Sequence, residues 1–400
     1  MTTNTSFDIT QPLPQGTVLL AASAGTGKTW TISAVCAKAI ATGLVHMENL
    51  LLVTFNRSAA RELRGRVYER LVNTRLLLAG AREPSDPCDW SLIRCGQAGL
   101  TRVESALDNF DRAVITTTHE FASRMLVELG VLSDHDPSSV LMTDLAPLAT
   151  EVSDDHYLAQ YLDCDRPPSV RDKRELSRDV AVKYGEVPIF SKDDADTPVQ
   201  DVLWALSVRE DVRRRSKSRS VHTFDDLIGD LVKALRDPYR GPLACATLAH
   251  RFGLVMVDEF QDTDPLQWEI LRRAFHGHSN LWLIGDPKQS IYAFRGADIH
   301  AYQDAAQSAS HVLHLDVNYR TDKPIVEAVN TLFSNAQLGH DISMELVTAH
   351  HQESRIKTAA TDGPRYHWSQ PFQIRCLQAP AGAQLNTATS DQFVTEDLVN

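Results

Sequence analysis

Short apolar runs alternate with longer helical patterns along most of the chain. Residues 18–22 form an apolar run typical of a buried strand, and a turn of small residues leads from it into a helical pattern over residues 28–41. The same unit recurs at residues 50–54 with 57–78, 113–116 with 121–129, 254–257 with 265–275, 281–284, and 312–315 with 324–333. Short buried strands that alternate with helices predict a parallel β-sheet covered by helices on both faces.

A segment of different character separates the early units from the later ones. Residues 131–200 are turn-rich and carry 15 Asp or Glu against 7 Lys or Arg, so they hold most of the formal net charge of −12. Residues 209–219, directly after, contain six basic and two acidic residues. Such a basic run is either the solvated face of a helix or a surface that follows phosphate groups, and the pattern leaves both interpretations open.

Composition narrows the class of protein. The 400 residues, with 43% hydrophobic and 23% charged residues, are enough for two or three packed domains and too apolar for a disordered chain. The negative net charge excludes a globally basic nucleic-acid-binding surface, although a local basic stripe stays compatible with it. The six cysteines have no zinc or disulfide spacing, and the chain shows no signal sequence or membrane-length apolar run. We therefore expect a cytoplasmic protein with no membrane partner.

The turn between the first predicted strand and the first helix has the composition of a phosphate-binding loop. Gly25 and Gly27 let backbone amides approach phosphate oxygens, and the following helix start favours negative charge. Lys28 can reach the β- and γ-phosphates of a nucleotide, and the Thr29 hydroxyl can bind Mg²⁺. The predicted ATP-binding loop comprises Ala22, Ser23, Ala24, Gly25, Thr26, Gly27, Lys28 and Thr29, with Ala22 in place of the first glycine of the strict pattern.

Two adjacent acids follow the apolar run at residues 254–257. Asp258, at the end of a buried strand, is placed to hold Mg²⁺ through water, and Glu259 to orient or deprotonate the attacking water in nucleotide hydrolysis. About 230 residues separate Lys28 from Asp258, many more than one strand-to-strand crossover requires. The spacing therefore predicts a whole domain inserted between them.

The predicted strand at residues 281–284 leads into a polar and aromatic stretch. Gln289 is placed to sense a γ-phosphate. Tyr292, Phe294 and Arg295 alternate aromatic faces with a cation, a composition that stacks single-stranded bases at about 1–3 kcal/mol per base. Aromatic residues in such a stretch are also found as core residues, so the pattern alone leaves both roles open.

Together these segments resemble the UvrD and RecB group of superfamily 1 helicases, and most of all the amino-terminal helicase part of RecB subunits. The matching motifs, in the order of the family between residues 14 and 333, are ASAGTGKT (22–29), VTF (53–55) with AAREL (59–63), TTHEF (117–121), FDDL (224–227), VDEFQD (257–262), GDPKQSIYAFRGAD (285–298) and NYR (318–320).

The resemblance adds site residues that the pattern does not supply. It implies that Arg320 contacts the γ-phosphate from a second domain and that Tyr319 stacks on adenine. Phe55 and His119 have an alternative role, packing at strand ends. The residues implied to line the path of a single strand of DNA are Phe55, His119, Tyr292, Phe294 and Arg295.

The resemblance also implies the architecture. It is an α/β fold with a RecA-like P-loop NTPase parallel sheet, a mainly helical inserted domain and the start of a second RecA-like domain. We expect the first ATPase domain at residues 1–120 and 225–310, the inserted 1B-like domain at 121–224, and the incomplete second domain at 311–400.

The implied function is an ATP-dependent 3′–5′ helicase or translocase in double-strand break repair and recombination, with ATP and Mg²⁺ as cofactors. Its partners would be single-stranded or duplex-end DNA and RecC-like and RecD-like subunits.

Later helicase motifs and a paired-acid nuclease motif are not found, and residues 396–400 have the pattern of a helix start, so we expect a fragment without nuclease activity. The competing interpretation is a module that binds ATP and single-stranded DNA without unwinding. A P-loop kinase or metabolic ATPase explains neither the Gln289–Arg295 stretch nor the insertion.

Overall fold

The structure is a computed structural model that describes residues 5–133, 135–136, 139–142, 144–181, 199–292, 297–334, 336–339, 342–355 and 390. The chain divides into two compact units, Met1–Leu315 and Asp316–Asn400, and each is described by itself.

The first unit is built on a parallel sheet. Its described strands are β1 (Thr5–Ser6), β2 (Thr17–Ala21), β3 (Leu50–Thr54), β4 (Val114–Thr117), β5 (Val140–Leu141), β6 (Val221–His222), β7 (Leu254–Val257), β8 (Asn280–Gly285) and β9 (His311–His314). Seven of them form one sheet in the order β1-β9-β2-β8-β7-β3-β4, and every neighbouring pair is parallel. The predicted α/β class with a parallel sheet is confirmed.

The described helices of this unit lie between the strands or in the inserted segment. They are α1 (Lys28–Thr42), α2 (Arg57–Leu78), α3 (Pro87–Leu92), α4 (Gly96–Asp108), α5 (Thr118–Leu129), α6 (Ala146–Tyr161), α7 (Val170–Ala181), α8 (Val199–Ser218), α9 (Phe224–Arg236), α10 (Gly241–Arg251), α11 (Pro265–Phe275) and α12 (Ile299–Ser308). Helix α5 begins before the predicted residue 121 because the Thr117 hydroxyl accepts the Glu120 amide and caps the helix there.

Strand β3 shows how the sheet is covered on both faces. All of its residues are buried. Leu50 and Leu52 pack into a cluster with α1, α2 and α4, while Leu51 and Val53 pack into a second cluster with α5, α9 and α11. Since side chains alternate across a strand, an unbroken apolar run supplies both faces of the sheet at once.

The inserted segment contains a small helical core of its own. Helices α6, α7 and α8 pack around Leu148, Val152, Trp204 and Val208. The turn-rich pattern predicted for residues 131–200 is therefore corrected, since α6 and α7 lie within it. Strands β5 and β6 pair in parallel, so the chain enters and leaves these helices side by side.

The second unit has a short sheet and a helix. Strands β10 (Val317–Asp322) and β13 (Thr348–His351) pair in parallel beside α13 (Lys323–Leu332), and β11 (Gln337–Gly339) pairs antiparallel with β12 (Ile342–Ser343). Strand β9 belongs to the sheet of the first unit, whereas the domain boundary expected at residue 311 places it in the second. In the part of the chain that the structure describes, no helix combines the length and apolar character that a bilayer span requires.

Glu269 ties α11 to α9. Its Oε1 accepts from Arg236 Nε at 2.8 Å and from Arg273 Nε at 2.7 Å, and its Oε2 accepts from Arg236 Nη2 at 2.5 Å. Hydrogen bonds from Arg236 above all lower the pKa of Glu269 from 4.5 to about 2, against a partial burial that acts to raise it. The carboxylate form is therefore the form that stabilises the contact between the two helices.

We expect Glu269→Gln to reduce the free energy of unfolding by about 1–2 kcal/mol near neutral pH, a figure discounted because solvent screens the two partly exposed arginines. A lowered carboxylate pKa stabilises the fold fully above the unfolded value near 4.5, and this stabilisation is lost as the pH falls towards about 2. Urea unfolding over this pH range measures it, with the exposed Glu62→Gln as the matched control. A Glu269→Gln deficit that stays constant across the range would contradict the assignment.

Candidate functional site

The loop between β2 and α1 has the backbone that close approach to phosphate requires. Gly25 and Gly27 have φ values of +82° and +86°, in the left-handed region that favours glycine. Gly27 caps α1, so the free amides at the start of this helix face the loop. Residues 22–29 of the predicted ATP-binding loop thus form a turn at the carboxyl edge of the sheet, where ligands bind in open parallel sheets.

Buried contacts hold the ends of this loop. The Thr26 hydroxyl donates to the Ser23 carbonyl oxygen at 2.8 Å, and the Ala22 amide donates to the Gly285 carbonyl oxygen at 3.0 Å. Ala22 is fully buried, while Ala24 is exposed and Thr29 half-buried. The alanine that departs from the strict loop pattern therefore sits where its methyl group packs into the core.

Lys28 lies against the two acids that follow β7. Its Nζ is 2.5 Å from Glu259 Oε2 and 4.0 Å from Asp258 Oδ1. The three residues meet because β2 and β7 both flank β8, so their carboxyl ends lie at the same edge. Glu259 adopts a left-handed φ of +55°, an uncommon conformation for a residue with a side chain and one that is concentrated at functional sites.

Burial sets the protonation of the neighbouring carboxyl groups. It raises the pKa of Asp258 to about 6, with Lys28 acting to lower it and Glu259 to raise it. Burial also raises the pKa of Asp262 to about 6, and the Glu259 charge adds to the shift. The site therefore concentrates negative charge that the Lys28 ammonium group offsets only in part.

A relay of hydrogen bonds leads from Glu259 to the strand-β8 motif. Gln261 Nε2 donates to Glu259 Oε2 at 2.8 Å, and Gln261 Oε1 accepts from the Asp286 amide at 3.0 Å. The carboxylate of Asp286 in turn accepts from Gln289 Nε2 at 2.8 Å. The predicted γ-phosphate sensor, Gln289, is thus connected to the predicted base, Glu259, through two residues to which the sequence assigned no chemistry.

Gly285 makes this relay possible. A Cβ atom placed there would lie 2.4 Å from Gln261 Oε1 and 3.1 Å from the Phe260 amide nitrogen, so any side chain would displace the relay. The signal in the sequence was the glycine itself at the end of an apolar strand, where close backbone approach is one of its usual roles.

The carboxylates, hydroxyl group, lysine and backbone amides at this edge of the sheet fit Mg²⁺ and a nucleoside triphosphate. One oxygen of the Asp262 carboxylate, Oδ1, is buried without a hydrogen-bond partner in the structure. Within the described residues no group of three or more His, Cys, Asp or Glu is arranged to hold a metal. Mg²⁺ needs no such cage, since proteins bind it through one or two oxygen ligands together with phosphates and water. Thr29 and Asp258 stay the predicted Mg²⁺ ligands.

Aromatic rings lie near the same sheet edge. The Phe55 and Tyr292 rings are stacked, with centroids 5.2 Å apart and planes inclined by 14°. His119 meets Phe224 edge-on at 5.9 Å, and its Nε2 lies 3.8 Å from Asp225 Oδ1. The structure brings Phe55 together with Tyr292 and adds Phe224 as a ring to which the sequence assigned no role. Predicted DNA-contact residues Phe294 and Arg295 lie outside the described residues.

Tyr319 and Arg320 lie on β10 of the second unit. The Tyr319 side chain is half exposed, with its ring 4.9 Å from that of His350. Asn318 Oδ1 accepts from the Arg320 amide at 2.9 Å, and Arg355 Nη2 donates to the Arg320 carbonyl oxygen at 2.6 Å. Their backbone is thus well held, and their roles at the nucleotide stay predictions.

Sequence comparison places these features in a family. The profile of the UvrD/REP helicase N-terminal domain matches residues 3–310. RecB, a subunit of the RecBCD enzyme, is 38% identical over 385 residues in Mycobacterium tuberculosis and 38% identical over 389 residues in Mycolicibacterium smegmatis. These matches cover 93% and 94% of this chain and 34% of each relative. The ATP-dependent DNA helicase UvrD1 of Mycobacterium bovis is 27% identical over 326 residues, 79% of this chain and 37% of the relative.

The chain spans about a third of the length of the RecB relatives that it matches. The family profile covers most of the chain, including the phosphate-binding loop, the acids after β7 and the relay to β8. The chain belongs to the UvrD/REP helicase family.

Proposed function

We propose that this chain hydrolyses ATP as the motor part of a RecB-like DNA helicase or translocase with 3′–5′ polarity. The main support for this proposal is that Lys28 Nζ contacts both Glu259 and Asp258 beside the glycine loop. That arrangement combines a phosphate cradle, a charge to stabilise a γ-phosphate and a base for water. Its connection towards stacked aromatic rings adds a reason for nucleic acid to be the second ligand.

The residues divide the work of hydrolysis. The backbone amides of the loop cradle the phosphates, and Lys28 stabilises the charge that develops on the γ-phosphate. Mg²⁺, when bound, would neutralise phosphate charge. Lys28 Nζ and Glu259 Oε2 are paired at 2.5 Å in the structure. When the lysine turns to a phosphate, this pair is broken, and Glu259 becomes free to take a proton from the attacking water.

The relay offers a route from the nucleotide to the DNA path. Glu259, Gln261, Asp286 and Gln289 form an unbroken set of hydrogen bonds, and Tyr292 follows Gln289 closely in the chain. A change at the γ-phosphate would therefore reach Gln289 through short polar contacts, and the Phe55–Tyr292 ring pair through the short chain segment from Gln289 to Tyr292. We propose that Tyr319 stacks on adenine and that Arg320 contacts the γ-phosphate.

The biological setting is proposed from the named relatives. They are subunits of a RecBCD enzyme, so we propose that the chain takes part in double-strand break repair and recombination with RecC-like and RecD-like subunits. Single-stranded DNA or a duplex end would be its nucleic-acid substrate. The domain limits at residues 120 and 224 are kept as proposals, while the third moves to Leu315, where the first compact unit ends.

Lys28→Ala should lower DNA-stimulated ATP turnover by about 100-fold or more, because the charge opposite the γ-phosphate is lost. Binding of single-stranded DNA without nucleotide should change by less than about twofold, since the ion-pair partners of Lys28 among the described residues are Asp258 and Glu259. A phosphate-release assay with and without DNA measures turnover, with Lys323→Ala, whose side chain is about half exposed, as the matched control. Unchanged DNA-stimulated turnover in Lys28→Ala would show that the ATP site is assigned wrongly.

Phe55→Ala and Tyr292→Ala should each weaken single-stranded DNA binding by about 1–3 kcal/mol, or about 5- to 150-fold, through lost stacking on bases. Fluorescence anisotropy measures the affinity, and thermal unfolding of the same samples reports packing. Tyr239→Ala, which removes a ring that is 91% exposed elsewhere, is the control. Reduced thermal stability with unchanged DNA affinity would favour the alternative role of these rings in packing.

Strand displacement distinguishes a motor from a binding module. With ATP, the chain should release the short strand of a duplex that carries a 3′ single-stranded tail, and not of one with a 5′ tail. Fluorescence from a labelled short strand records this, beside a binding assay on the same substrates. Binding of both substrates with ATP turnover and no displacement would favour the module that binds ATP and single-stranded DNA.

A further inference from the structure

A cavity of about 260 Å³ lies at the root of the inserted helices, and we call it the root cavity. It sits beside the β5–β6 pair, where the chain enters and leaves α6, α7 and α8. Helix α8 of the insertion forms one wall, and α9, which packs on the sheet, forms the other. The cavity therefore lies between the ATPase core and the inserted helices, away from the glycine loop.

The basic run on α8 divides into two sets of residues. Arg214 pairs with Asp211 at 2.8 Å, while Arg215 and Arg219 both reach Glu151 of α6, at 3.0 and 2.7 Å. The second set lines the root cavity and consists of Arg209, Arg213 and Lys217. Residues four apart share one face of a helix, so this second set forms a continuous basic stripe on the cavity wall.

Arg213 is the cation of this stripe with the greatest freedom to bind a ligand. Its side chain is exposed, and it forms no ion pair or hydrogen bond with another described residue. Burial raises the pKa of Asp230 on the facing helix α9, and Arg213 is one of the charges that act to lower it. A guanidinium group in this state presents its planar set of donors to the cavity.

Ser216, next to the stripe, is a second and independent sign of a ligand. Its side chain is 6% exposed, lines the cavity, and has a hydroxyl group without a hydrogen-bond partner in the structure. A buried hydroxyl without a partner costs about 1–3 kcal/mol. It lies three residues after Arg213, at a neighbouring position on the same side of α8.

The acids of the cavity are engaged elsewhere. Asp226 accepts from the Thr223 amide and hydroxyl in the capping box of α9. Asp136 accepts from the Ser220 hydroxyl at 3.0 Å, and Asp230 lies 3.7 Å from Lys233, a fourth lining cation. The acids therefore have partners on α9 and at the rim of the cavity. The charged and polar residues of α8 that line the cavity are all cations or serine.

We propose that the root cavity binds one phosphate group, with the Arg213 guanidinium and the Ser216 hydroxyl as its donors. Arg209, Lys217 and Lys233 surround these donors with positive charge, and guanidinium groups recognise phosphate through paired hydrogen bonds. The phosphate belongs either to the backbone of a DNA strand or to free inorganic phosphate. The DNA source rests on the proposed function, because it requires the chain to bind DNA, whereas the phosphate chemistry does not.

The test compares Arg213→Glu with Arg214→Glu in the full chain. The two changes are identical in charge and adjacent in sequence, but Arg214 is paired outside the cavity. With single-stranded DNA, Arg213→Glu should weaken binding about tenfold and reduce the slope of log affinity against log salt by about 0.7, the value for one lost phosphate contact. Arg214→Glu should leave the slope unchanged. Ser216→Ala should bind several-fold more weakly without a loss of thermal stability, since its hydroxyl has no partner to lose.

The source of the phosphate is resolved by a second titration. Inorganic phosphate is titrated into Lys28→Ala chains, in which the glycine loop is weakened, both alone and combined with Arg213→Glu or with Arg214→Glu. Loss of phosphate binding together with a reduced DNA slope supports a strand phosphate, and loss of phosphate binding alone supports free phosphate. Identical results for Arg213→Glu and Arg214→Glu in both titrations would overturn the proposal. A separate measurement tests the proposed function: if DNA does not change ATP turnover in the unaltered chain, the proposed function fails, whatever the phosphate titrations show.

Discussion

The contact of the Lys28 ammonium group with Glu259 and Asp258 is the interaction on which the rest of the site depends. It joins residues about 230 positions apart, and it exists because β2 and β7 end on either side of β8 at one edge of the sheet. The low polarity of the surroundings raises the pKa of Asp258 to about 6, so the lysine also limits the cost of a buried negative charge. A phosphate group that binds the Lys28 ammonium group would remove its positive charge from the vicinity of both Asp258 and Glu259.

The absence of a side chain at Gly285 links the Lys28–Glu259–Asp258 contact to the polar stretch after β8. The Gln261 side chain occupies the space that any Cβ at position 285 would fill, and from there it reaches both Glu259 and the Asp286 amide. The base after β7 and the polar stretch after β8 are thereby held in one hydrogen-bonded set. Because hydrogen bonds in a sheltered site polarise one another, such a set responds as a unit to a charge placed at its end.

The inserted helices use charge differently. Arg215 and Arg219 are neutralised by Glu151 of the same insertion, and Arg215 also meets Asp155 at 2.6 Å, so much of the basic run stabilises the packing of α6 on α8. The acidic excess of this region and the basic run beside it are therefore largely complementary. Beside these pairs, the basic stripe of Arg209, Arg213 and Lys217 lines the root cavity, at the junction with the ATPase core.

The sequence by itself determined the parallel sheet, most element boundaries and the loop, acid and polar motifs, because these depend on local apolar periodicity and on residue types at fixed spacing. It also determined the family, since the motifs occur in one order. It did not find Gln261 or Gly285 as parts of a relay, nor the pairing of Phe55 with Tyr292, nor the division of the basic run between Glu151 and a cavity. Only the tertiary structure decided these, because each is a contact between segments distant in the chain, and local periodicity carries no information about which distant side chain fills a given space.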